Sequence, residues 1–369
     1  MDVINKYFRR KVDKLSYIDL KNEKPEYQDL GITGIPLPII LDEMVDGINN
    51  ESFNNEIDLI YIVNGILYNI GVDPKFLYIG DYKTILNNLF ANPSEYALSK
   101  AIKIGERENE KANIFSRAAF LLDEKNELAA YNYARVLWTL QDIKDEERHV
   151  FVEEAVRILE RILAYNEENP LANFELANIF RSTGDYIKAD SYLKRVLNFT
   201  DNEELKNEAR DLMQKIAPDV AVENSIYYIN KMNYPRALSE LMTARKNSSR
   251  YDIPYYIAIA YMNQNQMDMA EKFFEEAIDK GADFASLYTD LVYVKYMLKK
   301  EFEALNIANE ALENYPSEIK LRYNRAIILS SMGQDDKAIE DIDFILEYDD
   351  LSDEMFNQLM ILKESILEK

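Results

Sequence analysis

The sequence predicts an all-α fold, an α-solenoid of helix hairpins with an N-terminal helical module and a C-terminal capping helix. Three observations predict it. The 369 residues hold only 10 Gly and 10 Pro, punctuation too sparse for many β-hairpins and suited to helices joined by short turns. Alanines recur in pairs 12 residues apart on either side of a turn: Ala177 and Ala189, Ala258 and Ala270, Ala326 and Ala338. The second-helix alanines Ala237, Ala270, Ala304 and Ala338 follow one another at 33, 34 and 34 residues, a period that marks stacked supersecondary units.

The elements follow in order. Residues 1–92 lack the period and read as a helical module packed on the first repeat. Within it GITGIPLP (Gly31–Pro38) reads as a turn-rich linker, with Pro38 placed to begin a helix over Ile39–Ile48. Asn49–Asn55 reads as a loop. Asp58–Gly71 reads as a buried helix stopped by Gly71, and Asp81–Phe90 as another helix.

A repeat array is expected over 93–352, its first two copies degenerate. Pro93–Glu124 is one, with Ala97 and Ala101, then Gly105, Ala112 and Ala119. Tyr133, Ala134 and Leu137 pair with Ala155, Leu159 and Ile162, but the alanines lie 21 apart, which places nine extra residues in the turn around DIKDEERH (Asp142–His149). In the next copy Leu176, Ala177 and Phe180 share one helical face, Gly184 and Asp185 form the turn, and Tyr186, Ala189, Leu193 and Val196 form the second face. Asp201–Ile216 reads as a longer second helix or an added helical turn. Four further copies centre on Ser225 and Ala237, Ala258 and Ala270, Leu291 and Ala304, and Ala326 and Ala338. The capping helix occupies 353–369, with Ser352 as N-cap and Met355, Leu359, Leu362 and Ile366 as its apolar stripe.

Alanine at these crossings lets two antiparallel helices approach closely, while large apolar residues fill the space between neighbours. In period and residue pattern the array resembles the tetratricopeptide repeat. The resemblance covers roughly residues 93–352 and implies a right-handed α-solenoid whose first helices line a concave, ligand-binding face. Carrying the family's fifth, ninth and twelfth positions over gives Tyr131, Arg135 and Trp138, then Phe174, Asn178 and Arg181. Val222, Ile226 and Ile229 follow, then Tyr255, Ile259 and Met262. The last two sets are Thr289, Tyr293 and Tyr296, and Tyr323, Ile327 and Ser330.

The expected peptide- or partner-binding residues are therefore Tyr131, Arg135, Trp138, Phe174, Asn178, Arg181, Ile229, Tyr255, Met262, Tyr293, Tyr296 and Tyr323. Tyrosine and tryptophan supply rigid contact area at small entropic cost. Arg135 and Arg181 suit a carboxylate or phosphate, and Asn178 a peptide backbone. The same residues could instead pack against neighbouring helices. Family members that clamp a C-terminal carboxylate use Lys and Asn on successive repeats. Here Ile226, Ile259 and Ile327 stand at such positions, which favours a more apolar ligand.

Composition narrows the function. The formal net charge of -23 repels a phosphate backbone and disfavours nucleic acid as a partner. Absence of cysteine removes disulfides, thiol nucleophiles and Fe–S clusters. The only histidine, His149, reads as a solvated loop residue without catalytic or metal partners. The acidic pairs Glu275–Glu276, Asp335–Asp336 and Asp349–Asp350 read as helix surface or helix-start charge, since no calcium-loop pattern surrounds them. The short basic run Arg9–Arg10–Lys11 reads as plain surface, and no glycine-rich phosphate loop is present. No catalytic residue set, metal or cofactor is expected. The opening MDVINKYFRRKVDKL is charged where a signal peptide is apolar, and no later run reaches membrane-spanning length; a cytoplasmic protein without membrane association is expected. The expected function is a non-enzymatic scaffold or adaptor that binds a peptide or helix of a partner protein, with self-association as a further route. The alternative is a peptide-sensing bacterial regulator of a transcription factor or phosphatase.

Overall fold

A computed structural model describes residues 2–20, 27, 30–49, 57–105 and 107–368. They form two compact units, Met1–Asp211 and Leu212–Lys369. The first opens with α1 (Asp2–Arg9), a 3-10 turn at Val12–Lys14, and two antiparallel strands, β1 (Leu15–Ile18) and β2 (Leu37–Ile40), with Leu15 opposite Ile40. Then come α2 (Leu41–Asn49), α3 (Leu59–Val72) and α4 (Ile79–Leu89). Three hairpins complete the unit: α5 (Pro93–Ile104) with α6 (Asn109–Leu122), α7 (Glu127–Thr139) with α8 (Asp145–Tyr165), and α9 (Pro170–Thr183) with α10 (Tyr186–Phe199). The division falls inside α11 (Glu203–Asn230). In the second unit α12 (Tyr234–Arg245) precedes the hairpins α13 (Asp252–Asn263) with α14 (Met267–Asp279), α15 (Ala285–Met297) with α16 (Glu301–Asn314), and α17 (Ile319–Ser331) with α18 (Asp335–Leu346). Helix α19 (Asp353–Leu367) packs against α18 and buries Leu359 and Ile366.

Local sequence explains where the helices begin. Asn92, Asn126 and Asn169 cap α5, α7 and α9, each accepting from the backbone N–H three residues on, at 3.2, 3.1 and 2.9 Å. Pro93 and Pro170 follow two of these caps as first helical residues. Ser352 caps α19 in the same way, accepting from Met355 N–H at 3.2 Å.

The turns inside four hairpins share one backbone state. Gly184, Asn265, Lys299 and Gly333 all have positive φ, from 59° to 85°, and Met232 has φ 56° between α11 and α12. From Met232 onward these positions are spaced 33, 34 and 34 residues apart, the period of the alanines. The left-handed conformation is therefore a property of the repeat, and only two of the five positions hold the residue that adopts it freely.

Several expectations need correction. The N-terminal segment is not all helical: Pro38 lies in β2 opposite Tyr17, and the next helix starts at Leu41. A four-residue apolar run is too short for periodicity to separate strand from helix. Gly71 does not stop α3, which continues to Val72. A Cβ there would lie 2.4 Å from Ile114 O, so Gly71 admits the backbone of α6; a Cβ on Gly65 would lie 1.8 Å from Pro38 O, so Gly65 admits β2. The residues around DIKDEERH do not enlarge a turn. From Asp145 they extend α8 to 21 residues, and His149 is an exposed helical residue. The added stretch at 201–216 merges with the next first helix into the 28 residues of α11. The expected loop at Asn49–Asn55 lies, beyond Asn49, outside the described residues.

One hydrophobic cluster runs from Ile4 and Phe8 on α1 through Tyr68, Tyr82, Phe115 and Tyr133 to Ile179 on α9. Arg117, 2% exposed, ties it together: it donates to Gly71 O at 2.7 Å and to Asn5 Oδ1, and lies over the Phe8 ring. In the second unit buried charge joins the hairpins. Lys295 on α15, 4% exposed, donates to Glu271 and Glu275 of α14 and Glu303 of α16 at 2.7, 3.0 and 2.8 Å. Burial alone would lower its pKa, but the three carboxylates outweigh burial and hold it above the ordinary lysine range. Asp341 on α18 is bracketed by Arg322 at 3.0 Å and Arg325 at 2.6 Å. The acidic pair Glu275–Glu276 is thus held by cations, since Glu276 also takes a two-point contact from Arg245.

Two substitutions check this reading. Lys299→Gly relieves a left-handed turn residue and raises unfolding stability by about 1 kcal/mol, measured by urea titration. Gly65→Ala forces a Cβ into a backbone carbonyl and lowers stability by about 3 kcal/mol in the same measurement.

Candidate functional site

The first helices α5, α7 and α9 adjoin one another in the first unit. Tyr131 and Trp138 stand two turns apart on α7 and converge on one acid. The Tyr131 hydroxyl donates to Glu175 Oε2 at 3.2 Å and the Trp138 indole N–H to Glu175 Oε1 at 2.6 Å. Glu175 is 4% exposed on α9. Burial, then the Glu175 charge, pushes the Tyr131 hydroxyl up to about 12. Phe174 is half-buried, and Asn178 donates back to Phe174 O at 3.2 Å on its own helix. Arg135 and Arg181 are exposed, and among the described residues neither is in a salt bridge.

An apolar cavity of about 550 Å³ lies between α5 and α7, lined by Leu98, Ile102 and Leu128 with Glu95, Ser99, Lys103 and Asn126. Ile102 is 60% and Leu128 47% exposed, and Leu171 at the start of α9 is 38% exposed. Sequence reasoning missed these leucines and isoleucine. Their signal was position: Leu128 and Leu171 each stand three residues before Tyr131 and Phe174.

The second unit repeats the polar joint. Tyr255 on α13 donates to Asp290 Oδ2 on α15 at 3.2 Å, and its ring meets Phe284 edge-on with centroids 5.0 Å apart. Asn324 on α17 donates to Thr289 O on α15 at 3.1 Å. Glu175, Asp290 and Asn324 each directly follow a fifth-position residue (Phe174, Thr289, Tyr323) and each bonds the fifth-position residue of an earlier first helix. Burial raises Asp290 to about 6; the Tyr255 hydrogen bond and the Lys320 charge offset this only in part. Met262 and Ile259 pack against the cluster around Phe273 and Phe274. Ile229 is half-buried on α11 and Val222 buried. Tyr296 and Tyr323 lean on neighbouring cores, while Tyr293 stays 40% exposed. Thr289 and Ser330 are buried.

The sequence profile of the tetratricopeptide repeat matches residues 171–202 and 255–279, which are the hairpins α9–α10 and α13–α14. The chain carries tetratricopeptide repeats. Similar solved structures include YrrB, described as a tetratricopeptide-repeat protein with an unusual peptide-binding site (16% identity, TM-score 0.38, covering 56% of this chain and 96% of that one). A tetratricopeptide-repeat protein of Parabacteroides merdae is similar at 15% identity and TM-score 0.37, covering 73% and 98%. The tetratricopeptide-repeat domain of P58(IPK) is similar at 14% identity and TM-score 0.31, covering 74% and 98%. No curated protein matches the sequence. Among the described residues the repeats and the segment before them contain no group of acids and histidine able to hold a metal ion, and no helix long and apolar enough to cross a membrane.

In the repeats the tyrosine–acid joint has a pH signature. Because the Asp290 pKa is raised, its contribution to stability is full below the unfolded value near 3.8 and is lost as pH rises through about 6. Asp290→Asn keeps an acceptor for Tyr255 without the half-buried charge. It therefore melts higher than the parent protein at pH 7.5, and the difference disappears near pH 4, as thermal unfolding monitored by circular dichroism will show.

Proposed function

We propose that this chain is a non-enzymatic interaction scaffold whose first-helix face in the first unit binds an extended peptide of a partner protein. The observation behind this reading is the pairing of an exposed apolar cavity at Leu98, Ile102 and Leu128 with the exposed guanidiniums of Arg135 and Arg181. A peptide that fits presents a large apolar side chain to the cavity and a carboxylate to the arginines. This ligand differs in its anchor from the one expected of a tyrosine-lined groove. The hydroxyl of Tyr131 and the indole N–H of Trp138 are bonded to Glu175, so the two rings serve as walls and the arginines as the polar contacts. In the second unit Tyr293 offers the exposed ring, with Met297, 44% exposed, one turn away.

Panning a random peptide library on the full chain tests the reading. Selected sequences should share a large aliphatic or aromatic residue followed by Asp or Glu. Leu128→Asp should weaken the selected peptides by at least tenfold, and Arg135→Ala with Arg181→Ala should remove the preference for the acid. Peptides whose affinity is unchanged in Leu128→Asp overturn the assignment of this face.

A further inference from the structure

A second cleft lies where the segment that precedes the repeats meets the first hairpin, and none of the residues lining it is on α5, α7 or α9. It has a volume of about 710 Å³ between α2, α3 and the start of α6. Its charge is unbalanced: Asp42, Glu43, Asp46, Glu108 and Glu110 line it against only Lys14 and Lys111. Both lysines are already engaged, Lys111 with Glu43 and with Glu108 at 3.2 Å, and Lys14 with Glu110 at 2.8 Å, while Lys11 outside the lining reaches the other Glu110 oxygen; Asp42 and Asp46 are in no salt bridge among the described residues. The excess is negative.

The floor supplies an independent observation. Tyr68 is 2% exposed and lines the cleft, and its hydroxyl has no hydrogen-bond partner among the described residues. The same holds for Asn64 Oδ1, whose amide nitrogen donates to both Glu43 oxygens at 3.1 and 3.2 Å. Buried polar atoms without partners are costly and uncommon in folded chains. Burial raises the Tyr68 pKa, and the charges of Glu110, Asp13 and Asp42 raise it further, so the phenol stays neutral and feels the carboxylates above it. Carboxylates and an amide oxygen only accept, and the tyrosine oxygen can accept as well as donate. A complementary ligand therefore brings positive charge and several N–H donors. The acids do not group as metal ligands do.

We propose that this cleft binds an alkylammonium group, delivered by a free polyamine or by a lysine side chain, with the ammonium held by the acidic rim and hydrogen-bonded to Tyr68 and Asn64. The volume is that of a small-molecule site. None of its residues belongs to the peptide face on α5, α7 and α9, so the two assignments stand or fall separately.

Calorimetric titration of the full chain with spermidine and with tetralysine tests this, with 1,5-pentanediol as the uncharged control. One saturable site for either cation, and none for the diol, is expected. Spermidine binding alone assigns a free polyamine, tetralysine alone a lysine side chain, and both together the ammonium itself. Tyr68→Phe, which removes only the hydroxyl, should weaken binding about tenfold, the loss of one hydrogen bond to a charged group, and Asp46→Asn should weaken it further by removing charge alone. Two results overturn the proposal: no saturable binding of either cation, or equal affinity in the parent protein and Tyr68→Phe.

Discussion

Ala134 and Ala155, Ala177 and Ala189, Ala258 and Ala270, and Ala326 and Ala338 are all fully buried. Each pair is divided between the two helices of one hairpin, which pack on each other. A larger side chain there would hold the backbones apart, so the contact permits little else. This constraint shapes what lies around it. Despite their 21-residue separation Ala134 and Ala155 are both buried between helices that pack on each other, and the surplus residues appear as extra turns at the start of α8. In the first unit the same closeness is reached with glycine where α3 meets β2 and α6, at Gly65 and Gly71.

Once the hairpins are fixed, successive first helices meet in constant register, and chemistry can be placed between them once per repeat. Glu175 holds Tyr131 and Trp138, Asp290 holds Tyr255, and Asn324 holds the backbone of Thr289. These joints differ in cost. Asn324 is neutral, whereas Asp290 loses hydration that one tyrosine hydroxyl does not replace, which is why its pKa rises. Lys295 is better served, since three carboxylates surround one buried ammonium. Buried ion pairs of this kind are costly to break and weak as net stabilisers, and fixing which neighbour sits where is the role best attested for them.

The hairpins were legible because alanine spacing reports a geometric necessity. The turns were half legible: Gly184 and Gly333 announce positive φ, but Asn265, Lys299 and Met232 adopt it under tertiary constraint, with no glycine to betray them. The sheet was hidden because β2 is four consecutive apolar residues, LPII, and because Pro38 suggested a helix start. A two-stranded pair tolerates proline, since each strand has a free edge. At the site, Tyr131 and Tyr255 were found by position, yet their hydroxyls are engaged by acids one residue beyond the positions considered. Ile102 and Leu128 were passed over because an isolated apolar residue on a helix reads as core until its exposure is known.

The arginines bear most directly on function. The chain has 66 acidic and 43 basic side chains, so acids outnumber the cations they can pair with. Arg245, Arg250, Arg322 and Arg325 each meet at least one carboxylate, and Arg117 donates from its two terminal nitrogens to Gly71 O and Asn5 Oδ1. Arg135 and Arg181, on neighbouring first helices, are two of the exposed cations that are in no salt bridge among the described residues, and Glu175, the buried acid of α9, is already bonded to Tyr131 and Trp138. Two exposed guanidiniums cost little in water and remain available, and a bidentate contact with an incoming carboxylate is the strongest use of such a group. The tyrosine–acid joint thus has a second consequence: with both Glu175 oxygens accepting from Tyr131 and Trp138, that carboxylate is committed to holding α7 against α9.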